Sequence, residues 1–185
     1  GDTKVEADET VTISMSNLSA GTVDGSDIDI TDDGTLTLNN DDQATLTIDN
    51  ESGNEDDGAV TFTVTLDNAV DGGFSVDVNT ADGTATIANS DYTAVTSETL
   101  NFAGTASETE TFTVTPTTDS DAEADETVNI SMDNVTAGTV DVGDIDESDT
   151  AILTILNDDN ISISVNDPSV SEGDGGSATL TFTVT

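Results

Sequence analysis

The chain reads DSDAEADETVNISM from Asp119 to Met132, so that an acidic run passes directly into a segment of alternating polar and apolar residues. Apolar residues at every second position, with Thr, Asn and Ser among them, are typical of a half-buried β-strand. Two carboxylates about 4 Å apart repel each other by roughly 4 kcal/mol at an effective dielectric constant near 20. The acidic run therefore needs either full hydration or a cation.

The same pattern occurs earlier in the chain, 117 positions upstream. VEADETVTISM from Val5 to Met15 matches AEADETVNISM from Ala122 to Met132, and the same offset aligns the NDD of residues 40–42 with the NDD of residues 157–159. Self-similarity at a fixed spacing indicates a tandem array. We predict three parts: the C-terminal half of one repeat in 1–42, a complete repeat in 43–159, and the N-terminal strands of the next repeat in 160–185.

Alternation with period two recurs along most of the chain, and no segment has a convincing helical period. The alternating segments are 11–15, 36–38, 46–48, 60–66, 74–78, 100–102, 112–114, 128–132, 161–165 and 180–184. Turn signals separate them in the complete repeat at Asp57-Gly58, Asp71-Gly72-Gly73, Asp82-Gly83 and Ala103-Gly104, where glycine supplies the positive φ of tight turns. About seven short strands per repeat predict an all-β antiparallel sandwich.

The charge balance limits the partners of this chain. Forty Asp and Glu residues stand against one Lys or Arg, for a formal net charge of −39, which excludes nucleic acid and anionic membrane surfaces as partners. Such a chain repels itself unless salt or bound cations screen it. Calcium or a saline environment is therefore implied. No apolar run approaches the roughly 20 residues that would span a bilayer.

The side chains needed for most catalysis are missing. The chain contains no His and no Cys, which removes the usual general bases and strong nucleophiles, as well as disulfides and thiolate metal sites. A glycosidase with paired carboxylates would need a substrate cleft, for which five Phe and one Tyr offer little material. We therefore predict a protein that is not an enzyme.

Acidic residues fall in several predicted loops of the complete repeat. A hard divalent cation such as calcium takes six to eight oxygen ligands at about 2.3–2.6 Å. Loops at one end of a sandwich converge in space, and the loops here carry Glu55, Asp91, the run from Asp119 to Glu126, and the pair Asp158-Asp159. The alternative is that these acids form a solvated surface, as in proteins adapted to salt.

The order of several short motifs resembles the Calx-beta module, which occurs in sodium/calcium exchangers and in large bacterial surface proteins. The resemblance covers the whole of 43–159. Its motifs are NEDDG at 54–58 followed by VTFTV at 60–64, TADGTA at 80–85, SDYT at 90–93, LNF at 100–102, DETV at 125–128 and NDD at 157–159.

This resemblance implies an immunoglobulin-like sandwich with Ca²⁺ bound at one end of each repeat. The implied ligands in the complete repeat are Glu55, Asp91, Asp119, Asp121 through its main-chain oxygen, Glu123, Glu126, Asp158 and Asp159. Asn157 stands where some family members carry a third acidic residue.

The partial repeats carry parts of the same ligand set. In the first partial repeat the implied ligands are Asp2, Glu6, Glu9, Asp41 and Asp42, whereas Lys4 stands at the position of Asp121. In the third, Glu172 begins the set. The segments 1–42 and 160–185 together are shorter than one repeat of 117 residues. We therefore expect an excerpt from a longer array, with strand donation between chains of a polymer as the alternative.

These observations predict a calcium-rigidified structural repeat of a long extracellular or cell-surface protein, an adhesin extender or filament segment whose secretion signal lies outside this segment. Its partners would be calcium, neighbouring repeats and other copies in a filament. Two alternatives remain. A calcium-sensing regulatory module would bind calcium more tightly, and a glycan- or protein-binding adhesive module would need an exposed aromatic or apolar patch.

Overall fold

The computed structural model describes residues 1–185, and its regular structure is β apart from three single turns of 3-10 helix, at Gly25–Asp27, Glu55–Asp57 and Val142–Asp144. The strands are β1 (Glu9–Ser14), β2 (Asp33–Leu38), β3 (Ala44–Ile48), β4 (Glu51–Asn54), β5 (Val60–Leu66), β6 (Phe74–Asp82), β7 (Tyr92–Thr93), β8 (Glu98–Phe102), β9 (Thr109–Pro116), β10 (Glu126–Ala137), β11 (Ile145–Asp146) and β12 (Thr150–Leu156). No helix is long and apolar enough to cross a bilayer.

Ten of these strands form two five-stranded sheets that face each other as a sandwich. The strand orders are β4-β12-β10-β6-β8 and β11-β3-β5-β9-β7. Long strands pair antiparallel, whereas the short edge strands β4 and β11 pair parallel with β12 and β3. The predicted all-β sandwich is confirmed, but with ten strands where the prediction was about seven, because β4, β7 and β11 are short edge strands without an alternating pattern.

The core lies between the sheets and is built from the apolar members of each alternating strand. It contains 25 buried residues, among them Phe62, Leu46 and Leu153, which are fully enclosed. Each sheet contributes one stacked aromatic pair: Phe62 with Phe112 across β5 and β9, and Phe74 with Phe102 across β6 and β8. Burying side chains of this size contributes about 1.5–3 kcal/mol each.

One predicted turn differs from the others. Gly58, Gly72, Gly73 and Gly104 have the expected positive φ, but Gly83 does not. Asp82 ends β6 without a hairpin, and a Cβ at position 83 would lie 2.3 Å from the Thr127 carbonyl oxygen. Glycine is required there by the close approach of β10 and not by a turn.

The segments 1–42 and 160–185, which the sequence predicts to be partial repeats, form no sandwich of their own. In the first, β1 and β2 pair as an isolated antiparallel ribbon whose apolar residues, such as Ile13 and Leu36, remain exposed. The predicted strands at 161–165 and 180–184 are absent, and only an isolated bridge joins Val165 to Val184. Two-stranded ribbons are marginal without a third strand or a covering layer. Neither segment has further strands to cover its apolar residues, which explains both the exposed ribbon and the absence of the two predicted strands.

The two ends of the sandwich differ in chemistry. The acidic end consists of the loops 55–57, 83–91, 117–125 and 157–159, and the base consists of the loops 67–73, 103–107 and 138–144. The first partial repeat meets the base: the Val5 N–H donates to the Ala69 carbonyl, and the Asp71 N–H donates to the Val5 carbonyl, both at 2.9 Å. Val5 is fully buried and belongs to the core of the complete repeat.

Candidate metal centre

The acidic end gathers loops that are far apart in sequence. A pocket there is lined by Glu55, Asp91, Thr117, Asp119, Glu123, Ala124, Glu126, Ile155 and Asn157. Five of these nine residues are carboxylates that the sequence predicts as calcium ligands. Their convergence follows from strand order, because β6, β9 and β12 all end at this face and β10 begins there.

Glu55 is the only buried charged residue in the structure, with 6% of its surface exposed. Its Oε1 is fully shielded from solvent and has no hydrogen-bond partner. Burial raises the pKa of this carboxyl group, and the nearby charges of Asp119, Asp159 and Asp158 raise it further, although the Asp158 main-chain N–H acts in the opposite direction. A carboxylate in this position is destabilised unless a cation reaches it.

Three carboxylates form the tightest group in the pocket. Ligand oxygens of Asp91, Glu123 and Glu126 lie within 4.8 Å of one another. Burial raises the pKa of Glu126, and Asp91 and Glu123 raise it further. Asp91 is held in place because its Oδ2 accepts the Thr86 N–H at 2.7 Å. The three side chains therefore form a cluster of oxygens with spacing suited to a shared cation.

A second group of acids surrounds Asp159. Asp159 has an Oδ2 that is shielded from solvent and has no hydrogen-bond partner. Burial raises the pKa of this side chain, and the charges of its neighbours add to the effect, namely Asp158, Asp56, Asp119 and Asp121. Asp119 accepts the Asp121 N–H at 2.7 Å, which closes the loop between these two acids. Asp119 also lines the pocket with Glu55, and its charge helps raise the pKa of Asp159, so it belongs to both groups.

These residues fit a hard divalent cation. The donor set consists of oxygens alone, as calcium and magnesium prefer. Two of the oxygens, Glu55 Oε1 and Asp159 Oδ2, are shielded from water without any protein partner, which is rare for buried polar atoms. The only cationic side chain in the protein, Lys4, belongs to the first partial repeat. A bound cation would supply the missing partner for both atoms.

The structure thus brings all eight predicted ligands of the complete repeat to one end, in two neighbouring groups. It also shows participants that motif spacing did not reveal. Asp56 contributes to the charge around Asp159, and the carboxylate of Asp125 bonds the Asn157 N–H at 3.2 Å. Asp125 is one of several acids in the run, so residue type alone does not distinguish it from the predicted ligands.

The predicted residues of the first partial repeat also share one cleft. Asp2, Glu6, Glu9, Asp41 and Asp42 all line it, and Lys4 lines it with them. The ammonium of Lys4 bonds Glu6 Oε1 at 3.1 Å, so a tethered cation already neutralises part of this set. Glu172, in contrast, is exposed in a segment without regular structure.

Comparison with known proteins agrees with the sandwich and with the motif order. A family model described as the Calx-beta domain matches residues 39–159, about two thirds of the chain. No curated protein matches the chain in sequence.

Three crystal structures are similar in fold. The structure of CBD12 from CALX1.2 is 23% identical with a TM-score of 0.50, and the match covers 66% of this chain and 49% of that one. The structure of the calcium binding domain CBD12 of CALX1.1 is 23% identical with a TM-score of 0.49, and the match covers 62% of this chain and 44% of that one. The apo form of the Calx CBD1 domain is 22% identical with a TM-score of 0.48, covering 64% of this chain and all of that domain. At these identities the first structure shows the fold alone.

Proposed function

The chain belongs to the Calx-beta domain family, and from this membership we propose that it is a non-enzymatic, calcium-binding structural repeat of a long extracellular or cell-surface protein. One observation carries the calcium assignment: Glu55 Oε1 and Asp159 Oδ2 are shielded, unpartnered and surrounded by further carboxylates. Charged groups in such a place are otherwise paired or bound to metal. An all-oxygen set with these properties favours calcium or magnesium over transition metals.

The mechanism is electrostatic. Without a cation, the carboxylates of the acidic end repel one another and push apart the loops that carry them. With a cation, the same groups become ligands, so the loops are drawn together. Binding to the folded form alone adds RT ln(1 + [L]/Kd), which is about 2.7 kcal/mol when calcium stands a hundredfold above its dissociation constant. Extracellular modules bind calcium at about 0.1–1 mM, within reach of seawater or tissue fluid.

The contact between the first partial repeat and the base supports a role as a rod. It joins the acidic end of one repeat to the base of the next through the buried Val5, the Lys4–Asp71 ion pair and the Asn40 Nδ2–Asp144 Oδ2 hydrogen bond at 3.0 Å. Repeats joined end to end in this way transmit stiffness from one acidic end to the next sandwich. We infer that calcium at the acidic end also stiffens the joint.

Thermal unfolding of the 185-residue chain tests this function, with calcium, with magnesium and with chelator at one ionic strength. We expect calcium to raise the melting temperature of the wild type and to do so far less in the double variant Glu123→Gln with Glu126→Gln. The matched control is the double variant Glu51→Gln with Glu98→Gln, because both residues are exposed and their side chains form no hydrogen bonds. A wild-type melting temperature that is the same with calcium and with chelator would refute the proposal.

A calcium-sensing regulatory module is the second candidate, favoured by the fold shared with the calcium binding domain CBD12. Sensors bind calcium at about 0.1–10 µM, whereas extracellular modules bind at about 0.1–1 mM. Isothermal titration of the wild type with calcium therefore separates the two functions. Millimolar affinity supports the structural repeat, and micromolar affinity supports the sensor.

A further inference from the structure

Asn157 connects the two loops that carry most of the predicted ligands. Its Oδ1 accepts the Glu123 N–H at 3.0 Å, and its Nδ2 donates to the Asp159 carbonyl at 3.0 Å. Its own N–H donates to Asp125 Oδ1 at 3.2 Å. One residue thus ties the acidic loop before β10 to the acidic pair after β12.

The same three bonds recur in the first partial repeat. Asn40 Oδ1 accepts the Glu6 N–H at 3.2 Å, its Nδ2 donates to the Asp42 carbonyl at 3.0 Å, and its N–H donates to Asp8 Oδ1 at 2.9 Å. Each partner lies 117 positions before its counterpart. The first copy forms these bonds without the rest of its sandwich. The three bonds therefore do not require the rest of that sandwich, although Asn40 Nδ2 also donates to Asp144 Oδ2 of the base at 3.0 Å.

The chemistry of this position requires an amide. The side chain must accept from one main-chain N–H and donate to one main-chain carbonyl, which a carboxamide does and an ionised carboxylate cannot. A carboxylate there would also face the Asp159 carbonyl and add a charge to a cluster that already raises the pKa of Asp159. Asparagine joins the loops without adding to this repulsion.

We propose that Asn157 is a positioning residue, which holds Glu123 and Asp159 in register before metal arrives and is not itself a metal ligand. The inference rests on the proposed calcium function. Residues that orient metal ligands through hydrogen bonds matter for affinity, since their removal weakens metal binding by about 10- to 100-fold. Asn40 has the same role in the neighbouring repeat.

The test compares the wild-type chain with N157A, N157D and the control N101A, whose side chain is exposed on β8 and has no hydrogen bond. We expect N157A to weaken calcium binding about 10- to 100-fold in isothermal titration. In chelator, we expect the Glu123 N–H to exchange faster in N157A. N157D keeps an acceptor for this N–H but loses the donor to the Asp159 carbonyl, so it should restore the protection only in part. N101A should match the wild type in both measurements.

Europium luminescence lifetimes in H₂O and D₂O separate positioning from ligation, because they count the water molecules on the bound ion. We expect the same number in wild type and N157A. An additional water in N157A, or calcium affinity within twofold of wild type, would overturn the inference. A wild type that binds no calcium would instead refute the proposed function, while amide exchange at Glu123 would still report the connection between the loops.

Discussion

The ammonium of Lys4 bonds the carboxylate of Asp71, which lies 67 positions further along the chain and in the next repeat. In the complete repeat, the position that corresponds to Lys4 is occupied by Asp121. The joint between the first partial repeat and the base therefore contains a covalently attached cation, whereas the acidic end of the complete repeat has another acid at that position. Calcium should matter more at a joint that has an acid at that position.

The first prediction concerns this ion pair. Lys4→Met keeps the apolar stem and removes the charge, so Asp71 and Glu6 are left without their cation. We expect faster amide exchange at Val5 and Asp71 in chelator, because the bonds from the Val5 N–H to the Ala69 carbonyl and from the Asp71 N–H to the Val5 carbonyl are then held by packing alone. Asp71→Asn should show the same change, and Asp49→Asn, an exposed control without side-chain bonds, should not. Unchanged exchange in Lys4→Met would show that the ion pair contributes nothing to the joint.

The second prediction concerns apolar packing at the same joint. Val5 is fully buried in the core of the complete repeat, next to Val70. Val5→Ala should lower the stability of the complete repeat by about 1.5–3 kcal/mol, the range for burying a Val side chain. Val11→Ala, at a position 46% exposed, is the matched control. Equal melting temperatures for the two variants in calorimetry would mean that the first partial repeat does not pack on the base in solution.

The third prediction is that Glu55→Gln changes the melting temperature in opposite directions with and without metal. Glu55→Gln removes a buried, unpartnered charge, so the metal-free protein should melt at a higher temperature than the wild type. In calcium the same substitution removes a ligand, so the variant should melt at a lower temperature than the wild type. Circular dichroism melts in chelator and in calcium check both signs. Glu98→Gln, which is exposed, should change neither, and a Glu55→Gln variant that is destabilised in chelator would contradict the burial argument.

The fourth prediction concerns pH. The pKa values of Glu55, Glu126 and Asp159 are raised in the fold by burial and by neighbouring carboxylates. The folded state therefore binds more protons than the unfolded state, and stability falls as the pH rises from about 4 through the raised pKa values. In chelator we expect the melting temperature to increase when the pH is lowered from 7 towards 5.

Glu108 acts in the opposite direction at lower pH. Burial alone would raise the pKa of Glu108, but the main-chain N–H groups of Ala103, Thr105 and Gly104 lower it. Its contribution is present above about pH 4 and is lost as the pH falls through the lowered pKa. In chelator, a double variant with Glu55→Gln and Glu126→Gln should show a smaller increase in melting temperature than the wild type when the pH is lowered from 7 to 5. A wild-type melting temperature that falls over that range would contradict the assignment.

The alternation of residues such as Val128, Ile130 and Met132 was enough to predict the sandwich, because the side-chain period of a strand is a local property. The offset from Glu6 to Glu123 likewise revealed the repeats. Local patterns cannot tell which loops meet, however. The grouping of Asp91 with Glu126, and of Asp56 with Asp159, depends on the order of strands in both sheets.

The sequence by itself determined the all-β class and the repeat, since both follow from residue type and spacing along the chain, and the resemblance of its motifs to the Calx-beta module supplied the candidate ligands. Tertiary structure decided the rest. It buried Glu55 without a partner, turned Asp125 towards the Asn157 backbone, and placed Val5 in the core of the following repeat. These outcomes depend on contacts between distant segments, whose free energies appear only when both sheets are assembled.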